Sequence, residues 1–110
     1  MSKYIVIKQE GKYKKFFIKE ILYCKAEGAY TKIWLNNNEE YLVSKLLKEV
    51  EKILANYNFF RINRSYLVNL DHCHEILTNS NRELRLLNGV KLAISRSKIK
   101  LLIQRFCTYS

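Results

Sequence analysis

The 110-residue sequence contains no proline and only three glycines. Gly11, Gly28 and Gly89 lie far apart, so the chain has no glycine-rich loop that could cradle a nucleotide phosphate. It also shows no Ser-His-Asp context and no suitably spaced pair of carboxylates for acid-base catalysis. These absences argue against an enzyme.

The three cysteines are odd in number and widely spaced, at Cys24, Cys73 and Cys107. No CxxC pair suggests a zinc site, so we expect reduced thiols. His72 and His74 would share a face of a strand and could hold a metal there, but no neighbouring residue completes a tetrahedral ligand set. An ordinary strand is therefore the favoured interpretation, and we expect neither a metal nor another cofactor.

No apolar run approaches the roughly 18 residues that a membrane span requires, and the first residues lack a signal-peptide core. We therefore expect a cytoplasmic protein that forms one domain over residues 1–110. The hydrophobic fraction of 48% is sufficient for a packed core.

Acidic residues are scarce, because 20 Lys and Arg face only 10 Asp and Glu, for a formal net charge of +10. Both ends of the chain are basic: residues 1–25 hold seven lysines against Glu10 and Glu20, and residues 82–110 hold seven Lys or Arg against Glu83. Such a field attracts a polyanion, either nucleic acid or an anionic membrane surface. Charge alone leaves open a basic protein without such a partner.

Short strands dominate the predicted secondary structure. Turns are expected at Glu10–Lys12, Asn36–Asn38, Asn79–Asn81 and, as the strongest hairpin signal, Asn88-Gly89. The predicted strands are Tyr4–Ile7, Phe16–Ile18, Ile21–Glu27, Tyr30–Leu35, Tyr41–Val43, Phe59–Ile62, Tyr66–Leu70, His74–Thr78, Leu84–Leu87 and Val90–Ile94.

Two segments change to a helical period. The first runs from about Lys45 to Ala55, with Ser44 as its expected cap. The second repeats Ile99, Leu102, Ile103 and Phe106 at i, i+3, i+4 and i+7, with Ser95 as the expected cap. The sequence therefore predicts a mainly antiparallel β domain with two short helices.

Two basic segments could bind a polyanion. In the first, Arg61, Asn63 and Arg64 cluster near a predicted turn; guanidinium groups bind phosphate or guanine bidentately, and Asn pairs with adenine. In the second, Ser95–Lys100 places three cations at a predicted helix start, where free N–H groups favour an anion. The alternatives are a solvated sheet edge and a plain surface helix. A third segment, Glu27–Lys32, presents Tyr30 and Lys32 on a loop and is weak evidence alone.

From about Phe17 to Phe106 the order of these segments resembles the LytTR DNA-binding domain, the output module of many bacterial two-component response regulators. The segments that carry the resemblance are IKEILYCKAEGAYTKIWL, the Tyr41–Ala55 strand and helix, FFRINRSYLVNL and LRLLNGVKLAISRSKIKLL. The resemblance implies an elongated fold of roughly ten short strands in three antiparallel sheets, with one or two short helices. It also implies loops that enter successive major grooves and bend the duplex.

The family resemblance further implies roles for individual residues. Asn63 stands where the family commonly has His, and Cys24 where it has an aliphatic residue. Base contacts would be made by Tyr30, Arg64 and Arg96, and backbone contacts by Lys32, Arg61, Asn63, Ser65, Ser97, Lys98 and Lys100.

The implied partner is double-stranded DNA, with paired sites as direct repeats and a second copy of the chain on the DNA; no membrane partner is expected. Family members typically carry a receiver domain, so this chain is either a stand-alone regulator or part of a longer protein. The alternative function is a basic β-module that binds an acidic protein or single-stranded RNA, with Tyr30, Trp34 and Tyr66 as stacking residues if they are exposed.

Overall fold

The computed structural model describes residues 3–79 and 81–108, and these form ten strands in three antiparallel sheets with two α-helices. This confirms the predicted fold class. The strands are β1 (Tyr4–Gln9), β2 (Lys12–Phe17), β3 (Ile21–Glu27), β4 (Tyr30–Leu35), β5 (Glu40–Val43), β6 (Phe59–Arg61), β7 (Tyr66–Asn69), β8 (Cys73–Leu77), β9 (Glu83–Leu86) and β10 (Lys91–Ala93), and the helices are α1 (Leu47–Ile53) and α2 (Ile99–Cys107). Short 3₁₀ turns cover Ile18–Glu20, Leu70–His72 and Arg96–Lys98.

The five-stranded sheet, in the order β5-β4-β3-β7-β6, is the middle layer of the molecule. Side chains alternate across a strand, so Cys24 and Tyr23 face opposite sides of this sheet. The Cys24 side packs against the β1–β2 ribbon and α1 in one core cluster. The Tyr23 side packs against α2 and the sheet of order β10-β9-β8 in a second cluster. Two cores therefore share one central sheet.

The hairpin turns are of two kinds. Glu10 and Gly11 both have positive φ angles, 43° and 78°, as a two-residue type I′ turn requires. The loop at Asn88-Gly89 is instead three residues long, because the Leu86 N–H donates to the Val90 carbonyl across Leu87, Asn88 and Gly89. The hairpin prediction is confirmed, and the extra residue places only Gly89 at positive φ. The predicted turn at Asn79–Asn81 lies partly outside the described residues.

Neither predicted serine cap is formed by its side chain. At α1, the Glu49 carboxylate accepts from the Leu46 N–H (2.9 Å), and the helix begins at Leu47 rather than at Lys45. At the second helix, Ser95 precedes the 3₁₀ turn Arg96–Lys98 without a side-chain bond to it, and α2 begins only at Ile99.

The two histidines do not share a strand face, contrary to the expectation. His72 lies in the 3₁₀ turn, where its Nε2 is 2.6 Å from the Lys19 carbonyl oxygen, whereas His74 is exposed on β8. The described residues contain no cluster of three or more His, Cys, Asp or Glu that could hold a metal ion. None of the described helices is long and apolar enough to cross a membrane.

Candidate functional site

Several loops meet at one end of the middle sheet because its strands are antiparallel. Tyr66, the first residue of β7, pairs with Lys25 near the end of β3, so the β6–β7 loop lies beside the β3–β4 turn. Val43, the last residue of β5, pairs with Thr31 at the start of β4, which brings the start of α1 to the same end. We call this end, with its connecting loops, the loop end.

Tyr30 lies at the β3–β4 turn, where Gly28 takes a positive φ of 60° that glycine adopts without steric cost. The Tyr30 side chain is 44% exposed. Its neighbour Thr31 is buried, and the Thr31 hydroxyl donates to the Lys45 carbonyl (2.7 Å). The turn is thus fixed to the β5–α1 connection and presents an aromatic side chain to solvent.

Lys32, two residues further on, already has partners within the protein. Its Nζ is 3.3 Å from Glu40 Oε1 and 5.2 Å from the centre of the Trp34 ring. Lys32 is therefore less available for DNA than Tyr30, because its ammonium would have to leave the Glu40 carboxylate before it could bind a phosphate.

Asn63 holds the β6–β7 loop in shape. Its Oδ1 accepts from the backbone N–H groups of Ser65 (2.8 Å) and Tyr66 (3.0 Å), and its Nδ2 donates to the Ala93 carbonyl (2.7 Å). The first two bonds close the turn, and the third ties it to the end of β10. The amide that the family resemblance placed against DNA is thus satisfied by the protein itself.

Arg61 braces the same loop from the other side. Its guanidinium donates to the Arg64 carbonyl (2.6 Å) and pairs with the Glu51 carboxylate of α1 (3.3 Å). Ser65 is also held, because its carbonyl accepts from the Ala26 N–H (2.8 Å). These bonds leave the side chain of Arg64 pointing outward and exposed.

The β6–β7 loop is joined to the connection between β10 and α2. The Ser95 N–H donates to the Ile62 carbonyl (2.9 Å), beside the bond from Asn63 to Ala93. An open cleft of about 320 Å³ lies between the two segments, lined by Glu51, Arg61, Asn63, Arg64, Ser95, Ser97 and Lys98. The two basic segments singled out in the sequence are therefore neighbours in space.

The remaining predicted residues are exposed around this cleft. Arg96, Ser97 and Lys98 form the 3₁₀ turn, and Lys100 lies in the first turn of α2. No carboxylate of the described residues lies within 4.0 Å of the Arg64, Arg96, Lys98 or Lys100 side-chain nitrogens. The cleft itself is not lined by Tyr30, Lys32, Ser65, Arg96 or Lys100.

Glu51 is the cleft residue that the sequence did not indicate. It lies on α1 ten positions before its partner Arg61, a separation for which no local pattern predicts a contact. Its carboxylate neutralises Arg61, so the exposed positive charge at the cleft comes from Arg64 and Lys98.

The aromatic residues behind the loop end pack against one another. Tyr23 stacks on Trp34, with ring centres 5.0 Å apart, and also contacts Tyr66 at 5.8 Å. Burial, followed by the nearby Tyr66 and Glu40, raises the pKa of Tyr23. One face of the Trp34 ring packs on Tyr23, and the residue as a whole is half-buried.

Comparison with known proteins identifies the family of this chain. A family model for the LytTr DNA-binding domain matches residues 11–106. The chain belongs to this family. The sensory transduction protein LytT of Bacillus subtilis (strain 168) is 33% identical over 84 residues, which are 74% of this chain and 34% of that relative. The present LytTr domain thus spans about a third of the length of the curated relative.

The fold of this LytTr domain also matches a solved structure. A LytTr DNA-binding domain from Bacillus cereus superposes with a TM-score of 0.76 at 21% identity, covering 96% of this chain and 97% of that one. At that identity the match shows the fold, which agrees with the three antiparallel sheets described above.

Proposed function

We propose that this LytTr domain binds double-stranded DNA sequence-specifically through its loop end, as the output module of a bacterial transcription regulator in the cytoplasm. The observation that carries the proposal is the junction of two basic loops around one cleft. Bonds between the loops fix the relative positions of Arg64 and of the 3₁₀ turn that contains Arg96. Two arginines on segments of fixed spacing can read base edges at two positions of one site.

Tyr30, Arg64 and Arg96 are the proposed base-contacting residues in the major groove. All three are exposed: Tyr30 begins β4, Arg64 lies in the β6–β7 loop and Arg96 begins the 3₁₀ turn before α2. A guanidinium group matches the O6 and N7 acceptors of guanine, and an arginine without a carboxylate partner has both donors free. A tyrosine on a tight turn offers a hydroxyl and an apolar ring.

Ser65, Ser97, Lys98 and Lys100 are the proposed contacts to the DNA backbone. Lysine is a compact charge that suits phosphate, and Ser97 and Lys98 lie in the exposed 3₁₀ turn directly before α2. We assign Arg61 and Asn63 mainly to positioning, because both side chains already bond to the loop. Lys32 can join the phosphate contacts only by leaving Glu40.

The alternative of single-stranded RNA needs free aromatic faces. Trp34, Tyr23 and Tyr66 use theirs on one another, and Lys32 lies over the Trp34 ring. Of the three candidate stacking residues, only Tyr30 is exposed to solvent, and because bases stack on exposed rings, the packing of Trp34 and Tyr66 favours the duplex. An acidic protein partner would be drawn by charge alone and would not require two fixed arginines.

The matched region is only 34% of the B. subtilis relative, which therefore contains further sequence outside its LytTr domain. We infer that in a longer protein this domain follows a receiver domain, and that two copies bind DNA sites arranged as direct repeats. Both inferences derive from family membership.

A selection from a random duplex library, followed by affinity measurement across salt concentrations, tests the proposal. We expect a preferred site at least about 10³-fold tighter than random DNA, with affinity falling steeply as salt rises. A random single-stranded RNA pool and a polyglutamate chain serve as competitors. Equal affinity for every duplex, or equal competition by the RNA, would refute the proposal.

A further inference from the structure

The tip of the β1–β2 ribbon lies at the loop end, although the family resemblance gives it no role in binding. The Gln9 side chain fixes it there: its Nε2 donates to the Leu42 carbonyl (3.0 Å), and its Oε1 accepts from the Ser44 N–H (2.7 Å). Leu42 lies in β5, an edge strand of the middle sheet, and Ser44 directly follows this strand. The tip is therefore attached to the loop end by the backbone of the sheet.

The turn at this tip is short and constrained. Gln9 pairs with Lys12 across Glu10 and Gly11, which both have positive φ. A two-residue turn of this type leaves little freedom to the flanking residues. Lys12, which pairs with Gln9, therefore keeps a fixed position beside the end of β5.

Lys45 lies between this tip and the proposed base-contacting turn. Its carbonyl accepts from the Thr31 hydroxyl (2.7 Å), next to Tyr30, and its N–H donates to the Val43 carbonyl (2.9 Å). The neighbouring Ser44 is the residue that Gln9 binds. Hydrogen bonds thus set the order Tyr30, Lys45, Lys12 along the loop end, on the side of Tyr30 away from the β6–β7 loop.

The ammonium groups of Lys12 and Lys45 are available for a ligand. Within residues 3–79 and 81–108, no carboxylate lies within 4.0 Å of either group. Lys14, on the same strand as Lys12, differs because its ammonium lies 4.4 Å from the centre of the Tyr41 ring. Lys12 is exposed and Lys45 half-exposed.

We propose that Lys12 and Lys45 form a phosphate-binding extension of the interface, which contacts DNA backbone beyond the base pairs that Tyr30 faces. Neighbouring strands such as β4 and β5 lie about 4.8 Å apart, and packed layers such as the ribbon and the middle sheet lie about 10 Å apart. These spacings place Lys12 and Lys45 within one helical turn of DNA from Tyr30. Compact ammonium groups bind phosphates without reading bases. This inference rests on the proposed function and lengthens the bound segment without adding specificity.

The test compares two double variants that each remove two positive charges. Lys12→Ala/Lys45→Ala removes the extension. Lys3→Ala/Lys19→Ala is the control, because Lys3 precedes β1 and Lys19 precedes β3, at the opposite end of these strands from the loop end, and both side chains are exposed. Each protein is titrated with the selected duplex and with a random duplex from about 50 to 200 mM salt. Denaturant unfolding confirms that each variant is folded.

We expect the magnitude of the salt slope to fall by about two in Lys12→Ala/Lys45→Ala, since each phosphate contact contributes about 0.9. Affinity should fall roughly 10- to 30-fold at physiological salt for both duplexes, with the preferred sequence unchanged. The control double variant should keep most of the wild-type slope.

If both double variants lose slope equally, the effect is one of overall charge and the extension is refuted. If Lys12→Ala/Lys45→Ala keeps the wild-type slope while Arg64→Ala and Arg96→Ala lose site preference, the extension is refuted and the proposed function stands. If the wild-type protein prefers no duplex, both proposals fail.

Discussion

Replacing Asn63 by alanine tests whether this amide positions the two arginine-bearing segments. The substitution removes three hydrogen bonds: those from Ser65 and Tyr66, which shape the β6–β7 loop, and the one to Ala93, which joins it to β10. A hydrogen bond of this kind contributes about 0.5–1.5 kcal/mol net, and water can replace part of each bond because Asn63 is half-buried. We therefore expect a loss of about 1.5–3 kcal/mol in the free energy of unfolding.

Urea unfolding measures this loss. With a slope of about 1.5 kcal/mol/M, typical of a small domain, the midpoint should fall by about 1–2 M while the slope stays constant. Asn63→Asp separates the two roles, because aspartate still accepts from Ser65 and Tyr66 but cannot donate to Ala93. Its carboxylate instead faces the Ala93 carbonyl. Asn56→Ala, at an exposed asparagine, is the control and should change stability by less than about 0.5 kcal/mol.

Library selection with folded Asn63→Ala gives the second readout. A positioning residue acts on both loops, so base preference should weaken together at the positions that Arg64 and Arg96 face. A direct base contact would instead change preference at a single position. A wild-type urea midpoint, or a preference altered at only one base pair, would refute the positioning role.

Three other predictions concern contacts, the tip of the ribbon and a buried thiol. Arg64→Ala or Arg96→Ala should cost about 1–3 kcal/mol on the preferred site and relax one or two base pairs, whereas Lys98→Ala should weaken all duplexes alike and lower the salt slope by about one; a consensus changed by Lys98→Ala but not by Arg96→Ala would contradict this division. Glu10→Asn should raise the free energy of unfolding by about 0.5–1 kcal/mol, since Asn tolerates the φ of 43° better than Glu, and no gain in thermal or urea unfolding would count against it. Burial raises the pKa of the Cys24 thiol to about 12, so the unfolded chain loses this proton first and stability should fall between about pH 9 and 12, by up to about 1.4 kcal/mol per pH unit. Urea unfolding of Cys24→Ala should lack this component, and an identical pH dependence would exclude Cys24 as its source.

The sequence predicted the strands well because their signals are local. Alternation in Tyr30–Leu35 and the helical period at Ile99, Leu102 and Phe106 each lie within one segment. The predicted start of the first helix was wrong: Glu49 binds the Leu46 N–H at the actual start, and Gln9 binds the Ser44 N–H from 35 positions away. Residue type cannot indicate a partner at that separation.

The candidate site shows the same limit more sharply. Residue type indicated that Arg61, Asn63 and Arg64 are suited to DNA, and the structure places all three at one corner. Residue type could not indicate which of these side chains form hydrogen bonds within the protein and which remain exposed. Arg61 and Asn63 bond to the loop because Glu51 and Ala93 come close only in the folded chain, and Arg64 is left exposed by the same contacts.

The hydrogen bonds that join Ile62 to Ser95 and Asn63 to Ala93 also determine whether the protein or the DNA must deform when the two bind. The first joins two backbone groups, and the second runs from the Asn63 side chain to the Ala93 carbonyl, so the spacing between the loops cannot change without breaking these hydrogen bonds. On the proposed function, a duplex whose grooves do not match this spacing has to bend, twist or change groove width, at a cost that depends on its dinucleotide steps. Flexible pyrimidine–purine steps between the contacted base pairs would then be selected although no side chain touches them. Part of the specificity of this domain would lie in the stiffness of the DNA.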